Sequence, residues 1–411
     1  MKVLWIVNSI FPNIAQKIGR KGSDSGGWMV GLSEELIKEK EIELTICTIY
    51  DGEYQEILIE NINYILVPKN QQKFYFKKIH STIYPNVVHI HGTEFDYGLN
   101  YIKVNGNKNV IISIQGLVSI IGKYYASGIT FTELLRYNSL KDIIKFNPLF
   151  NQYKSFHKRG LIEKEYFKLC NNFIGRTEWD KAHTFNLNPK ANYFHCDEIL
   201  RNAFYQGEKW SFENCEKNTI FLSQATYPIK GFHQIIKAVG ILKQKNIRNI
   251  KIKVAGKNIY KYNTAKERIL QSSYAFYINS LIRKYNLEDN IEFLGSLSEI
   301  EMRNQYLKCN LFICPSSIEN SPNSLAEAQI LGVPSIASYV GGTNNMINHQ
   351  INGILYRYEE VEMLAYYLQT LMDDEQRLSL FSSHAIETSL KRHNKTNILL
   401  KLQEVYKLFN I

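Results

Sequence analysis

The chain has 411 residues, 45% of them hydrophobic, with 49 Lys and Arg against 39 Asp and Glu for a formal net charge of +10. That length supports two globular domains, and every apolar run falls far short of the ~18 residues of a membrane span. No dense basic run or recognised nucleic-acid motif accompanies the charge, which argues against nucleic acid as a partner. The opening, Met1-Lys-Val-Leu-Trp-Ile-Val, is cut short by Asn8 and Ser9, so a buried first strand is expected rather than a signal peptide. Further strands are expected at 43–50, 64–67, 87–90, 110–114, 172–175 and 193–196. A second series follows at 219–223, 250–255, 291–294, 311–314, 335–340 and 354–356. Helical patterns alternate with these strands, which predicts two doubly wound parallel α/β domains facing each other across a cleft. The polar stretch 197–218 supplies the boundary: an N-terminal domain over 1–200, a C-terminal domain over 201–390, and a terminal amphipathic helix over 391–411. Ile398, Leu402, Val405 and Phe409 form the apolar face of that helix, which is expected to pack back across the domains. The six cysteines have no metal spacing and read as reduced structural thiols of a cytoplasmic protein.

The most informative stretch is 317–328, Ser-Ile-Glu-Asn-Ser-Pro-Asn-Ser-Leu-Ala-Glu-Ala, between two expected strands. It sets Glu319 in a loop and Glu327 about a turn into a helix. Asn323 and Ser324 are the expected N-caps of that helix, and Gly332 with Pro334 stops it. A helix N-terminus offers N–H groups and partial positive charge to a phosphate, and carboxylates on either side can hold sugar hydroxyls. This arrangement suits a sugar joined to a phosphate.

Other candidates fall after strands, where doubly wound sheets bind ligands. Gly26 and Gly27 precede a helix and either admit a phosphate to the backbone or form a plain turn. His89 and His91 alternate onto one side of their strand. His91 could hydrogen-bond a sugar, move a proton or be a satisfied structural histidine, and a zinc pair lacks a third ligand. The Gln115 amide could read a hydroxyl. Arg176 could clamp a phosphate or carboxylate, or pair with Glu178 or Asp180. Lys230, near a helix start where a cation is disfavoured, suits a diphosphate, with an exposed surface lysine as the alternative. Residues 121–168 carry nine Lys and Arg against four Asp and Glu, with ten aromatics including Tyr124, Tyr125, Phe146, Phe150, Phe156 and Phe167. That pattern suits an anionic membrane face or lipid-linked phosphate, or equally a solvated helical insertion whose aromatics face the core.

Taken together, these residues resemble the retaining, nucleotide-sugar-dependent glycosyltransferases of family 4, whose fold is GT-B. The resemblance spans nearly the whole chain and is strongest over 230–342. Glu319 and Glu327 match the family's Glu-X7-Glu motif, followed by Ala328, Gly332, Val333, Pro334 and the Gly341-Gly342-Thr343 turn. It implies that Glu319 holds donor-sugar hydroxyls, Glu327 the ribose, the backbone of Asn323, Ser324 and Leu325 the diphosphate, and Lys230 its charge. It makes His91 a catalytic histidine beside the transferred sugar and the Gly26-Gly27 loop a cover over the donor phosphates. Ala225 departs from the pattern, since members usually carry Arg there, and Arg176 or Arg201 is expected to supply the missing charge. The segments 174–180 and 198–205 resemble a bacterial surface-polysaccharide branch, of capsule or lipopolysaccharide type. The implied reaction moves a sugar from a nucleotide-diphosphate sugar to a saccharide or polyprenyl-linked acceptor, without metal or other cofactor, in the cytoplasm or at the inner membrane face. The alternatives are a GT-B epimerase or phosphorylase, or a catalytically silent nucleotide-sugar-binding scaffold.

Overall fold

The structure, a computed structural model, describes residues 1–20, 27–137, 148–260 and 271–409. The chain divides into two compact units. The first comprises Met1–Ile120, His157–Arg201 and Arg392–Ile411, and the second Ile121–Phe156 and Asn202–Lys391.

In the first unit the strands are β1 (Lys2–Val7), β2 (Glu43–Tyr50), β3 (Gln55–Ile59), β4 (Ile62–Pro68), β5 (Val87–His91), β6 (Val110–Ser113), β7 (Asn172–Gly175) and β8 (Asn192–His195). They form one sheet in the order β3-β4-β2-β1-β5-β6-β7-β8, parallel except for the edge strand β3, which runs antiparallel to β4. Val, Ile and Leu fill the central strands, and all five residues of β5 are buried, as a parallel sheet covered on both faces requires. The strand β3 is absent from the sequence expectation. It alternates Glu56 and Leu58 with Ile57 and Ile59, and it returns to β4 through Glu60 and Asn61, both at positive φ. Two residues of that conformation make the tight hairpin turn that matches strand twist.

The second unit contains β9 (Glu216–Leu222), β10 (Lys251–Val254), β11 (Ile291–Phe293), β12 (Cys309–Cys314), β13 (Ser335–Ser338) and β14 (Ile354–Tyr356). Their order is β11-β10-β9-β12-β13-β14, parallel throughout. Each sheet reverses its winding once, between β1 and β5 in the first unit and between β9 and β12 in the second. Such reversals open a crevice at the carboxyl ends of the two strands.

The sequence division assigns all of 1–200 to one domain, whereas in the structure residues 121–156 group with the second unit. Their anchors there are side chains of that unit gripping backbone carbonyls: Ser317 on Tyr124, Tyr358 on Ser127 and Lys237 on Gly128. The terminal helix Lys395–Lys407 belongs to the first unit and buries Ile398, Leu402, Val405 and Tyr406. Phe409 lies beyond its last turn and Tyr406 is the buried aromatic. All six cysteines are buried and unpaired.

Candidate functional site

The winding reversal of the second unit brings together two loops. After β9 the chain runs through Ala225 and Tyr227 into a short 3-10 turn, Pro228–Lys230, and then the helix Phe232–Gln244. Gly231 joins turn to helix at φ +67°, where a Cβ would collide with the Pro315 carbonyl of the loop after β12. Only glycine permits that approach. The contact is fastened by Ser317 N–H donating to Ile229 O at 2.8 Å. Lys230 Nζ thereby reaches Glu319 Oε1 at 2.5 Å, and Ser316 Oγ donates to the same oxygen at 2.6 Å. Burial opposes the ammonium charge, but the Glu319 carboxylate beside it holds the Lys230 pKa above the usual lysine range. A third loop completes the grip: Gly342 N–H donates to Glu319 O at 3.0 Å, and Gly341, at φ +54°, lies where a Cβ would strike that carbonyl.

The helix after this loop runs Asn323–Ile330. Its N-cap is Pro322, with no side-chain cap, so the expected capping by Asn323 or Ser324 does not occur. The physical reason is position: both residues already lie inside the first turn, where their side chains cannot fold back on the N-terminal amides. Leu325 and Glu327 are buried on this helix, Ser324 O accepts from Tyr306 Oη at 2.9 Å, and Asn323 Oδ1 is buried without a hydrogen-bond partner. Sequence reading missed Tyr227. Its hydroxyl donates to Gln224 at 3.0 Å, and burial raises its pKa, with Lys230 and Glu319 both close enough to act on it.

The first unit gathers a separate group around its own winding reversal. His91 ends β5, fully buried, its ring stacked 3.9 Å from His89, edge-on to Trp5 at 4.5 Å and tilted against Trp28 at 5.5 Å. Neither ring nitrogen of His91 has a hydrogen-bond partner. His89, by contrast, is satisfied on both sides, by Tyr406 Oη and Ser113 Oγ, each at 2.7 Å. The pair is therefore one structural histidine and one with unused capacity. Burial, then the neighbouring His89 and Arg176, push the His91 pKa well below the ordinary value, so its imidazole is neutral. Gln115 Nε2 donates to His91 O at 3.3 Å, which ties the loop after β6 to the loop after β5.

Arg176 is buried with its Nε 3.2 Å from Glu198 and its guanidinium 4.4 Å from the Trp28 ring centroid. Its ion-pair partner is Glu198, rather than Glu178 or Asp180. Gly27 opens the helix Gly27–Leu36, and the Arg201 stem lies over it, 3.0 Å from where a Cβ would be. Gly26 lies outside the described residues, as does Phe146. Of the basic and aromatic pattern in 121–168, Tyr124 and Tyr153 are exposed whereas Tyr125, Tyr166 and Phe167 are buried. The structure also draws out Glu94, three residues after His91. Burial lifts its carboxyl pKa to about 7, with Glu163 adding to the rise and backbone amides and Arg159 opposing it. Among the described residues no group of three or more His, Cys, Asp or Glu is arranged to hold a metal, and no helix is long and apolar enough to cross a membrane.

Residues 208–388 match the family model described as Glycosyl transferases group 1. An uncharacterized glycosyltransferase of Methanocaldococcus jannaschii is 22% identical over 193 residues, 47% of this chain and 45% of the relative. The Escherichia coli UDP-Gal:alpha-D-GlcNAc-diphosphoundecaprenol alpha-1,3-galactosyltransferase is 25% identical over 30% of this chain and 33% of that enzyme. The matched region thus spans less than half the length of these curated relatives. Solved structures match nearly the whole chain. Sucrose-phosphate synthase from Thermosynechococcus elongatus has a TM-score of 0.72 at 15% identity, covering 99% of this chain and 98% of that one. Anabaena HepE in complex with UDP-glucose has a TM-score of 0.67 at 12% identity, covering 99% of each chain. The chain shares the GT-B fold of these structures, and residues 208–388, in its second unit, are similar to the glycosyl transferases group 1 model.

Proposed function

We propose that this protein is a retaining glycosyltransferase of family 4 that moves a sugar from a nucleotide-diphosphate sugar to a saccharide or polyprenyl-linked saccharide in cell-surface polysaccharide synthesis. The observation that carries the reading is the Lys230–Glu319 pair at the winding reversal of the group 1 domain, ahead of a helix terminus that no side chain caps. A diphosphate entering there competes with Glu319 for Lys230. Once exchanged, Lys230 and the amides of Asn323 and Ser324 counter the charge that grows on the leaving group, whereas Leu325 N–H already donates to Pro322 O at 3.0 Å. Glu319 is then released to accept hydrogen bonds from donor-sugar hydroxyls, and Glu327 holds the ribose.

In the reaction the bond from the anomeric carbon to the diphosphate oxygen breaks. The acceptor oxygen bonds to that carbon on the same face, and its proton passes to the departing phosphate oxygen. Neutral His91 orients and polarises and carries no charge in the step. No divalent cation is required, because Lys230 and the helix terminus supply the positive charge. Arg201, lying along Gly27, or Arg176, beside Glu198, is the proposed source of the charge missing at Ala225. A uridine nucleotide is the first donor to try, given the UDP-sugar complex among the similar structures and the UDP-galactose relative. Exposed Lys123, Tyr124, Tyr153 and Lys154 support peripheral contact with an anionic membrane face from the cytoplasm.

A thermal-shift panel of UDP-, GDP-, ADP- and CMP-sugars tests the donor, since a ligand bound only by the folded state raises the midpoint. One nucleotide class is expected to stabilise. With that donor, Glu319→Gln is expected to lower transfer by about 100-fold or more with the fold intact, and EDTA to leave wild-type transfer unchanged. Near-normal transfer by the Gln variant would overturn the site. Donor binding without transfer to any acceptor would favour the silent scaffold, and donor turnover without an acceptor the epimerase.

A further inference from the structure

Residues 122–129 cross the second unit as a strap whose backbone is held by side chains. Tyr124 O accepts from Ser317 Oγ at 2.9 Å. Ser127 O is approached by Tyr358 Oη at 2.8 Å and His233 Nε2 at 3.1 Å, and Gly128 O by Lys237 Nζ at 3.1 Å. Gly128 stands at φ +76°, and a Cβ there would lie 2.8 Å from His233 Nε2, 2.9 Å from Gln234 Nε2 and 3.0 Å from Tyr358 Oη. His233 is itself fully buried, with its other nitrogen 3.2 Å from Tyr274 Oη. Four polar side chains from three separate places in the unit thus converge on carbonyls of one short segment, at a point where only glycine fits. Solvent could satisfy such carbonyls at no cost in buried polar groups. Burying His233 and Tyr358 beneath the strap therefore calls for a reason beyond filling space.

The reason lies in what Ser317 does at its other bonds. Its N–H donates to Ile229 O at 2.8 Å, next to Lys230, and it precedes Glu319 by two residues. One serine thus links the strap to both members of the Lys230–Glu319 pair. Burial raises the pKa of Tyr125 on the strap and the nearby Tyr227 hydroxyl adds to the rise, and Tyr227 lies beside the pair.

We propose that the strap 122–129 is an element of the donor site that sets the position of the Glu319 carboxylate for the donor sugar, with Ser317 and Gly128 as its positioning residues. The proposal rests on the donor reading above. It gives the backbone of the first part of the 121–168 insertion a place in the sugar half of the donor site, beside the membrane or lipid-phosphate surface read above for its exposed side chains. The strap acts on the sugar through Glu319, whereas the free nucleotide is held by Lys230, Glu327 and the helix Asn323–Ile330; the Ser317 bond to Ile229 beside Lys230 is made by its backbone N–H and survives a change of the side chain.

The test separates these halves by titrating UDP and UDP-glucose calorimetrically, or the nucleotide and nucleotide sugar that the panel selects. Ser317→Ala and, remote from Glu319, Gly128→Val are each expected to weaken the nucleotide sugar about 10-fold, or ~1.4 kcal/mol. The free nucleotide should stay within twofold, and Ser317→Thr should restore wild-type affinity. Variants that leave the nucleotide sugar unaffected, or that weaken nucleotide and nucleotide sugar equally, would overturn the proposal. Circular dichroism and the nucleotide titration itself report whether each variant is folded. A wild-type protein that binds no nucleotide sugar in the panel would instead overturn the donor reading beneath it.

Discussion

At the end of β5, burial acts on two side chains three residues apart with opposite results. It keeps His91 neutral by penalising the imidazolium, and it keeps Glu94 protonated up to about pH 7 by penalising the carboxylate. A carboxyl whose folded pKa is raised contributes stability that is fully present below its unfolded value and is lost as pH rises through the folded one. For Glu94 that window runs from the ordinary carboxyl range to about 7. Glu94→Gln removes the titration, so the variant should gain on wild type by about 2 kcal/mol between pH 5 and pH 8. Urea unfolding at the two pH values measures this, and an unchanged difference would mean that Glu94 ionises freely in the fold. Sequence could nominate His91 from its place after a strand, because alternation and strand ends are local properties. Strand alternation alone could not distinguish His91 from His89, as the resemblance did, since the physical difference is made by Tyr406 and Ser113, elsewhere in the chain. Glu94 carried no signal, because its burial comes from packing rather than from its neighbours in sequence.

Among the elements, the terminal helix Lys395–Lys407 shows how one side chain can fasten distant parts of a unit. Trp5 Nε1–H donates to Tyr406 Oη at 2.9 Å, and that hydroxyl lies 2.7 Å from His89 Nδ1. Tyr406→Phe leaves two buried ring nitrogens unpaired, a cost of about 1–3 kcal/mol. The expected result is a fall of that size in the stability of the first unit, with nucleotide affinity unchanged because the loops proposed to hold the donor lie in the second. A weakened nucleotide titration would place Tyr406 in the site instead. The amphipathic period of this helix was legible, as were the long central strands, since each depends on residues close in sequence. The hairpin strand β3 was not. Its polar half resembles a loop until Asn61 is recognised as a turn residue at positive φ. The cap of the helix Asn323–Ile330 was misjudged by one position, because Ser and Asn inside a first turn look the same in sequence as Asn at the cap.

For the molecule as a whole, the two sheets follow one winding plan, and each reverses once. The reversals collect the candidate residues: Gly27 and His91 in the first unit, Lys230 and Glu319 in the second. If the second holds the nucleotide, UDP should slow hydrogen exchange in 224–231 and 316–327, and leave β2 and β4 unaffected. Protection spread evenly over both units would argue for general stabilisation rather than a site. The sequence by itself determined the alternation of strands and helices, the acidic motif with its glycine-rich flanks, and the resemblance to family 4. All of these are written in short windows where spacing and residue type decide the outcome. Only the tertiary structure decided that Lys230 and Glu319 touch, that Arg176 is engaged by Glu198, and that residues 121–156 belong with the loops of Lys230 and Glu319. Each of these depends on groups brought together from distant parts of the chain, where burial, charge pairing and the room left by a glycine settle which of several partners is met.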